Sequence, residues 1–256
     1  MGGQTTIKKS IVATVTEPTV QVEPGGEDGP HGAVEVHYLA VEPGEHVLAD
    51  GTRIEAGEIV ILTGPSGSGK TTVLNLVGGL DVPSGGTVLL EGRDLAMMSR
   101  AQLSAMRRDR IGFVFQAYNL IPVLSALENV EFVMQLQGVA TRERREKANA
   151  ILQEVGLEGM ENRRPAELSG GQQQRVAVAR AVVSQPKLVL ADEPTANLDS
   201  TSAGQLMDLF RELNENHGVT FLIATHDERV MRRARRLIRM QDGRVISDEP
   251  QPPAAG

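Results

Sequence analysis

Glycines at 64, 67 and 69, an amine at Lys70 and a hydroxyl at Thr71 fall in one run, Gly64-Pro65-Ser66-Gly67-Ser68-Gly69-Lys70-Thr71, with Thr72 following. A triphosphate needs several convergent N–H donors, and glycines at these positions let the backbone curl so that its amides point inward at a helix start. Lys70 adds a mobile positive charge for the outer phosphate oxygens. The Thr71 hydroxyl supplies one oxygen ligand to Mg²⁺, a hard cation that takes few protein ligands and keeps waters. A second pair of groups completes this chemistry: Leu188-Val189-Leu190-Ala191-Asp192-Glu193 places two carboxylates just past an apolar run. Asp192 is the candidate for Mg²⁺ through its water shell, and Glu193 for polarising an attacking water in line with the terminal phosphate. Two adjacent acids alone would read as surface charge; beside a phosphate loop they read as hydrolytic machinery.

The loop must sit between a strand and a helix. Glu58-Ile59-Val60-Ile61-Leu62-Thr63 is a continuous apolar run that ends in it, and residues from Thr71 to Leu80 take helical spacing. Lys187-Leu188-Val189-Leu190-Ala191 and Thr220-Phe221-Leu222-Ile223-Ala224 read as buried strands of a parallel sheet. Ahead of the loop, residues 33–61 alternate in short runs broken by Pro43-Gly44, Asp50-Gly51 and Ala56-Gly57, the pattern of an antiparallel β subdomain. From Asp94 to Glu167 the chain is polar and rich in Arg and Gln, with helical periodicity over 100–108, 126–136 and 142–155, which predicts a largely helical lobe closed by Pro165. Residues 1–32 and the tail 249–256 are rich in Pro and Gly and read as solvated, flexible ends.

Composition narrows the field further. The 256 residues, 40% of them apolar, suit one elaborated domain. No run approaches the roughly 18–20 apolar residues of a membrane-spanning helix, and the start lacks a secretory apolar segment. Zero cysteines exclude disulfides and cysteine-held metals, and a formal charge of −7 argues against nucleic acid as a partner. The segment 229–239 holds six arginines. It reads either as a solvated helix face docked through Val230, Met231, Leu237 and Ile238 or as a surface for lipid headgroups.

Leu168-Ser169-Gly170-Gly171-Gln172 places Ser169 as an N-cap, so the helix that follows would aim free amides and its positive dipole end at an anion. Together with the phosphate loop, this phrase gives the chain its resemblance to the ATP-binding cassette family, over about residues 34–248. The implied fold is α/β: a P-loop NTPase core with a parallel sheet, an N-terminal antiparallel β subdomain and an inserted α-helical subdomain, the whole ATPase domain spanning 33–248. The resemblance implies that ATP with Mg²⁺ is the ligand and that two copies pair head to tail across it. Ser169, Gly170, Gly171 and Gln172 then correspond to the signature sequence that meets the nucleotide of the opposite subunit. Gln116, in Phe113-Val114-Phe115-Gln116, resembles the glutamine that senses Mg²⁺ and joins the core to the helical lobe. Asp199 resembles the residue of the loop that crosses the dimer seam, and His226, in Thr225-His226-Asp227, the switch histidine at the terminal phosphate. Tyr38 lies nine residues before Val47-Leu48, the spacing at which relatives stack an aromatic on adenine; packing in the core is the other reading of Tyr38.

Within the family, Gly78-Gly79-Leu80-Asp81, Phe115 to Pro122, Asn162-Arg163-Arg164-Pro165 and the signature look like the lipoprotein-releasing, macrolide-exporting and cell-division cassettes, LolD, MacB and FtsE, and DevA-type exporters. The partner this implies is an integral membrane permease of MacB, LolCE or FtsX type, with the chain peripheral on the cytoplasmic face of the inner membrane and touching the membrane through that permease. Export or lipoprotein release by transmitted motion is the implied task, and control of a cell-envelope hydrolase is the alternative. His37 and Ala196 depart from the common pattern. Members acting on DNA or ribosomes are the rival from another class; they carry a long inserted coiled coil or a second cassette, unlike this sequence.

Overall fold

A strand that is apolar at every position can be buried on both faces only if each face has its own cover. The computed structural model, which describes residues 56–83, 88–91 and 93–251, meets that requirement with two cores. The elements run β1 (Ile59–Thr63), α1 (Lys70–Val77), β2 (Leu89–Leu90), β3 (Arg93–Asp94), α2 (Arg100–Arg110), β4 (Ile111–Phe115), α3 (Ala126–Leu136), α4 (Thr141–Glu154), α5 (Gly170–Val182), β5 (Leu188–Asp192), α6 (Ser200–His217), β6 (Thr220–Thr225), α7 (Glu228–Met231), β7 (Arg236–Gln241) and β8 (Arg244–Pro250). Six strands form one sheet in the order β4-β5-β6-β1-β7-β8, and β2 pairs with β3 separately. Every ladder of the large sheet is parallel except β7 with β8. The α/β class and the parallel core expected from the sequence are present.

Alternation along the strands sorts the side chains. Ile59, Ile61, Val189, Ala191, Phe221 and Ile223 enter one core with the apolar faces of α3, α4, α5 and α6. Val60, Leu62, Leu188, Leu190, Leu222 and Ala224 enter the other, under α1 and beside the β2–β3 hairpin. The helices begin where their caps say: Ser99 and Ser125 each form a reciprocal capping box with the residue three further on, Gln102 and Glu128. Gly218, in the left-handed region at φ 64°, ends α6.

Three expectations need correction. The stretch 94–167, expected to form a largely helical lobe, does not all belong to one lobe, because Ile111–Phe115 leaves it to become β4 of the large sheet. Ile111 and Val114 bury on opposite faces of that strand, and a Cβ at Gly112 would stand 2.3 Å from the Ala181 carbonyl, so α5 lies directly on it. The arginine-rich stretch is not one helix face: α7 ends at Met231, and Arg236–Gln241 is β7, which buries Leu237, Ile238 and Met240 while Arg239 and Gln241 are exposed. β8, the outermost of the described strands, takes in Glu249 and Pro250, which composition assigned to the tail; at such a strand a proline with its nitrogen facing away from the neighbour gives up no ladder bond. The leader, residues 33–55 of the N-terminal β subdomain, Tyr38 and His37 lie outside the described residues. Among the described residues no helix is long and apolar enough to cross a membrane.

Candidate active site

In an open parallel sheet the carboxyl ends of the strands form the edge where ligands bind. Here β1, β5 and β6 are neighbours and all three end in the predicted site. β1 runs into Gly64, whose φ of 154° and closeness to β7 admit no side chain: a Cβ would stand 2.1 Å from the Met240 carbonyl. The loop closes through Ser68 N–H on the Pro65 carbonyl (3.2 Å) and Gly243 N–H on the Ser68 carbonyl (3.1 Å), so the β7–β8 turn braces it. Gly69 caps α1 from the left-handed region with no side-chain bond, which leaves the first amides of α1 free for an anion. Ser66 and Pro65 are exposed at the mouth, and Gly67 has open space around it.

Lys70 is only 7% exposed, yet its ammonium is matched by the loop itself: Nζ donates to the carbonyls of Gly64 at 2.8 Å and Pro65 at 3.0 Å. Desolvating an ammonium requires such acceptors, and here they hold the charge at the mouth of the cradle. Thr71 Oγ1 donates to Asp192 Oδ1 and Oδ2 at 3.2 and 3.0 Å. Burial pushes the Asp192 carboxyl above its usual range; the Thr71 bond works against this and neighbouring Glu193 adds to it. A hydroxyl and a half-buried carboxylate in contact, beside a free helix start, fit a hard cation shared with phosphate oxygens.

Glu193 adopts φ 46°, a conformation that costs a non-glycine residue roughly 1–2 kcal/mol. Its N–H still donates to the Ala224 carbonyl at 2.8 Å, so the chain stays on the sheet while the side chain turns toward the end of β6. There Thr225 Oγ1 donates to Oε2 at 3.0 Å, and His226 Nδ1 lies 2.6 Å from Oε1. Each carboxylate oxygen keeps a second lone-pair direction. Glu193 is 16% exposed and His226 68%, so the pair grades from protein interior to solvent.

The remaining expected residues divide into two places. Gln116 follows β4 and is exposed, and its carbonyl accepts from Asn197 Nδ2 at 2.9 Å, which ties it to the segment after Glu193. Ser169 caps α5 as expected, accepting from Gln172 N–H at 3.3 Å while its own N–H donates to Gln172 Oε1 at 2.9 Å. Its hydroxyl proton remains free to donate. A Cβ at Gly171 would stand 3.7 Å from Ser202 Oγ, so the Ser169–Gln172 surface adjoins the start of α6. Asp199 is the N-cap of α6, accepting from the N–H groups of Thr201 and Ser202 at 2.9 and 3.0 Å and from Ser202 Oγ at 2.6 Å. The Ser202 hydroxyl bond, with the backbone bonds beside it, holds the Asp199 carboxyl below its usual range. Thr72 lies in the first turn of α1.

Sequence reasoning missed four contributors. Thr225 closes the apolar run just before His226, so its place was available from the strand pattern. Gln174, fully buried on α5, donates Nε2 to the Pro194 carbonyl at 2.9 Å and fixes the turn after Glu193; a glutamine on an apolar helix face was the available sign. Asn197 and Arg180 hold backbone carbonyls far away in sequence, and nothing local announces them.

Comparison with known proteins places the chain among related sequences and folds. The ABC transporter family model matches residues 51–196. The lipoprotein-releasing system ATP-binding protein LolD of Anaeromyxobacter dehalogenans is 48% identical over 198 residues, covering 77% of this chain and 83% of that protein. The macrolide export ATP-binding/permease protein MacB of Rhodopirellula baltica is 48% identical over 197 residues, 76% of this chain and 29% of the relative. The chain thus spans less than a third of the length of the macrolide-export relatives it matches. Among solved structures, the dimeric post-hydrolysis state of the ATP-binding cassette MJ0796 bound to ADP and Pi aligns with a TM-score of 0.74 at 39% identity, covering 94% of this chain and 98% of that one. CbiO1 of Clostridium perfringens, part of the CbiONQ transporter complex, aligns with a TM-score of 0.76 at 27% identity, covering 94% and 89%.

Proposed function

The chain belongs to the ABC transporter family, and on that premise we propose that it binds and hydrolyses ATP in a pocket completed by a second copy, as the motor of a membrane permease. One observation carries the reading: the Lys70 amine, the Thr71–Asp192 pair and the Glu193–His226 pair all stand at the carboxyl ends of adjacent strands. Lys70 and the amides at the start of α1 bind phosphate oxygens, replacing the Gly64 and Pro65 carbonyls as partners of the ammonium. Thr71, Asp192 and Gln116 would hold Mg²⁺, which when bound offsets the phosphate charge. Glu193 accepts a proton from the attacking water. Thr225 and His226 fix the direction of its carboxylate, so less motion is needed at the moment of reaction.

Ser169 and the amides of Gly170 and Gly171 form a second anion-directed surface, placed against α6. A helix start with a free hydroxyl donor is suited to a phosphate, and in a head-to-tail dimer it would meet the nucleotide on the partner's loop. Asp199, on the adjoining cap, lies toward the same seam. Closing that seam excludes water and makes turnover depend on both copies.

The permease is proposed to be of the MacB, LolCE or FtsX kind, with this chain on the cytoplasmic face of the membrane and export or lipoprotein release as the task. LolD and MacB, whose names state those tasks, are the relatives that suggest it. Glu193→Gln tests the motor: ATP is still bound, steady-state phosphate release is lost, and ATP drives a stable dimer visible by light scattering. Phosphate release from Glu193→Gln at the wild-type rate would reject the proposed base.

A further inference from the structure

The chain leaving β4 passes Gln116 and then places two consecutive non-glycine residues, Tyr118 at φ 59° and Asn119 at φ 49°, in the left-handed region, which L-residues resist. What holds them there comes from α5. Arg180 donates Nη1 to the Asn119 carbonyl at 2.5 Å and Nη2 to the Tyr118 carbonyl at 2.9 Å. Burial pushes the Arg180 guanidinium below its usual range, and the bond to the Tyr118 carbonyl is the more buried of the two.

Arg180 lies in the last turn of α5, yet Tyr118 also touches the other end of that helix. A Cβ built at Gly170, the first residue of α5, would stand 2.9 Å from the Tyr118 hydroxyl and 3.8 Å from Cζ. Gly170 and Arg180 are separated by about 15 Å of helix, which arginine and tyrosine side chains reaching toward each other span. The backbone of Tyr118 is therefore anchored at the end of α5 and its ring tip at the start, next to Ser169. A phenol ring has two rotatable bonds and no softness of its own, so it behaves as a strut.

We infer that Tyr118 is a positioning residue that keeps the signature surface, Ser169–Gln172, in fixed relation to the Gln116 segment. The inference rests on the shared-pocket reading above. Gln116 serves the nucleotide of its own chain, whereas Ser169 and Gly171 serve the partner's. A strut between them makes the presentation of one half-site depend on the state of the other. It also assigns a reason for glycine at 170 that is separate from its amide: any side chain there displaces the phenol oxygen.

The test uses the full chain carrying Glu193→Gln, with dimer formation followed by light scattering against ATP and nucleotide affinity of the monomer followed with a fluorescent ATP analogue. Tyr118→Ala is expected to weaken ATP-driven dimerisation about tenfold while leaving the monomer's nucleotide affinity unchanged, a split that general destabilisation does not produce. Gly170→Ala is expected to weaken dimerisation too, and Tyr118→Phe in that background to restore it, because the ring carbon at 3.8 Å tolerates the new methyl. This rescue decides the matter even if Tyr118→Ala fails to fold. Dimerisation of Tyr118→Ala equal to the Glu193→Gln parent, or absence of rescue by Tyr118→Phe, would overturn the strut alone. A Glu193→Gln parent that stays monomeric with ATP would overturn the shared pocket and the strut with it.

Discussion

His226 Nδ1 and Glu193 Oε1 stand 2.6 Å apart, joining residues 33 positions distant in the chain. With Glu193 ionised, Nδ1 must carry the proton it donates, which leaves Nε2 for an outside ligand. The imidazole therefore aims the carboxylate. His226→Ala is expected to lower the rate of phosphate release at saturating ATP about a hundredfold, while titration of the nucleotide gives an affinity close to wild type. A large loss of affinity with an intact rate would reverse the assignment.

Asp192 illustrates a stability cost at a functional position. Its folded-state carboxyl lies above the usual range, chiefly through burial, so the ionised form opposes folding, and the stability tied to its proton is lost as pH rises through the raised value. Asp192→Asn should melt higher than wild type at neutral pH without nucleotide, and the difference should shrink as pH falls through the carboxylate range. The same variant should lose the gain in melting temperature that Mg²⁺ gives with ATP. Thermal scans across pH, with and without Mg-ATP, read both.

Asp227 has the opposite sign. Its hydrogen bond from Arg229 holds the carboxyl below the usual range, so its contribution is present above the unfolded value and lost as pH falls through the lowered one. Arg229→Ala is expected to melt below wild type near neutral pH, with the two curves converging in acid. A constant gap down to pH about 2, below both carboxylate values, would remove this pair from the account.

Arg236 crosses the sheet, bonding Asp248 at 2.6 and 2.7 Å and Glu58 at 3.1 Å with only 13% of its side chain exposed. Removing one member of a buried ion pair strands the other, here the Asp248 carboxylate. Arg236→Ala should cost about 3 kcal/mol in urea unfolding, with little change in the rate per folded molecule.

Much of this molecule is legible in its residues, and the limits are physical. The phosphate loop announces itself because its glycines, lysine and threonine are contiguous and the apolar run before it has strand length. Ser169 is legible as a cap because the reciprocal bond with Gln172 is local. β4 was hidden since Ile111 to Phe115 is short and flanked by arginines and glutamines that set the tone of the whole stretch. β7 was hidden since Arg236 and Arg239 interrupt the apolar residues, and only the ladder with β1 shows that Leu237 and Ile238 are interior. The turned backbone of Glu193, the hold of Arg180 on Tyr118 and Asn119, and the Gly64 contact with the Met240 carbonyl depend on segments that meet only after folding.

The far end of β8 has a consequence for how copies of this protein meet. Among the described residues β8 is the outermost strand of the large sheet, and an outermost strand is an invitation to add further chains edge to edge. Glu249 sets an exposed negative charge along that edge, and Pro250 removes a donor from it. Fibre-like stacking through this strand is thereby discouraged.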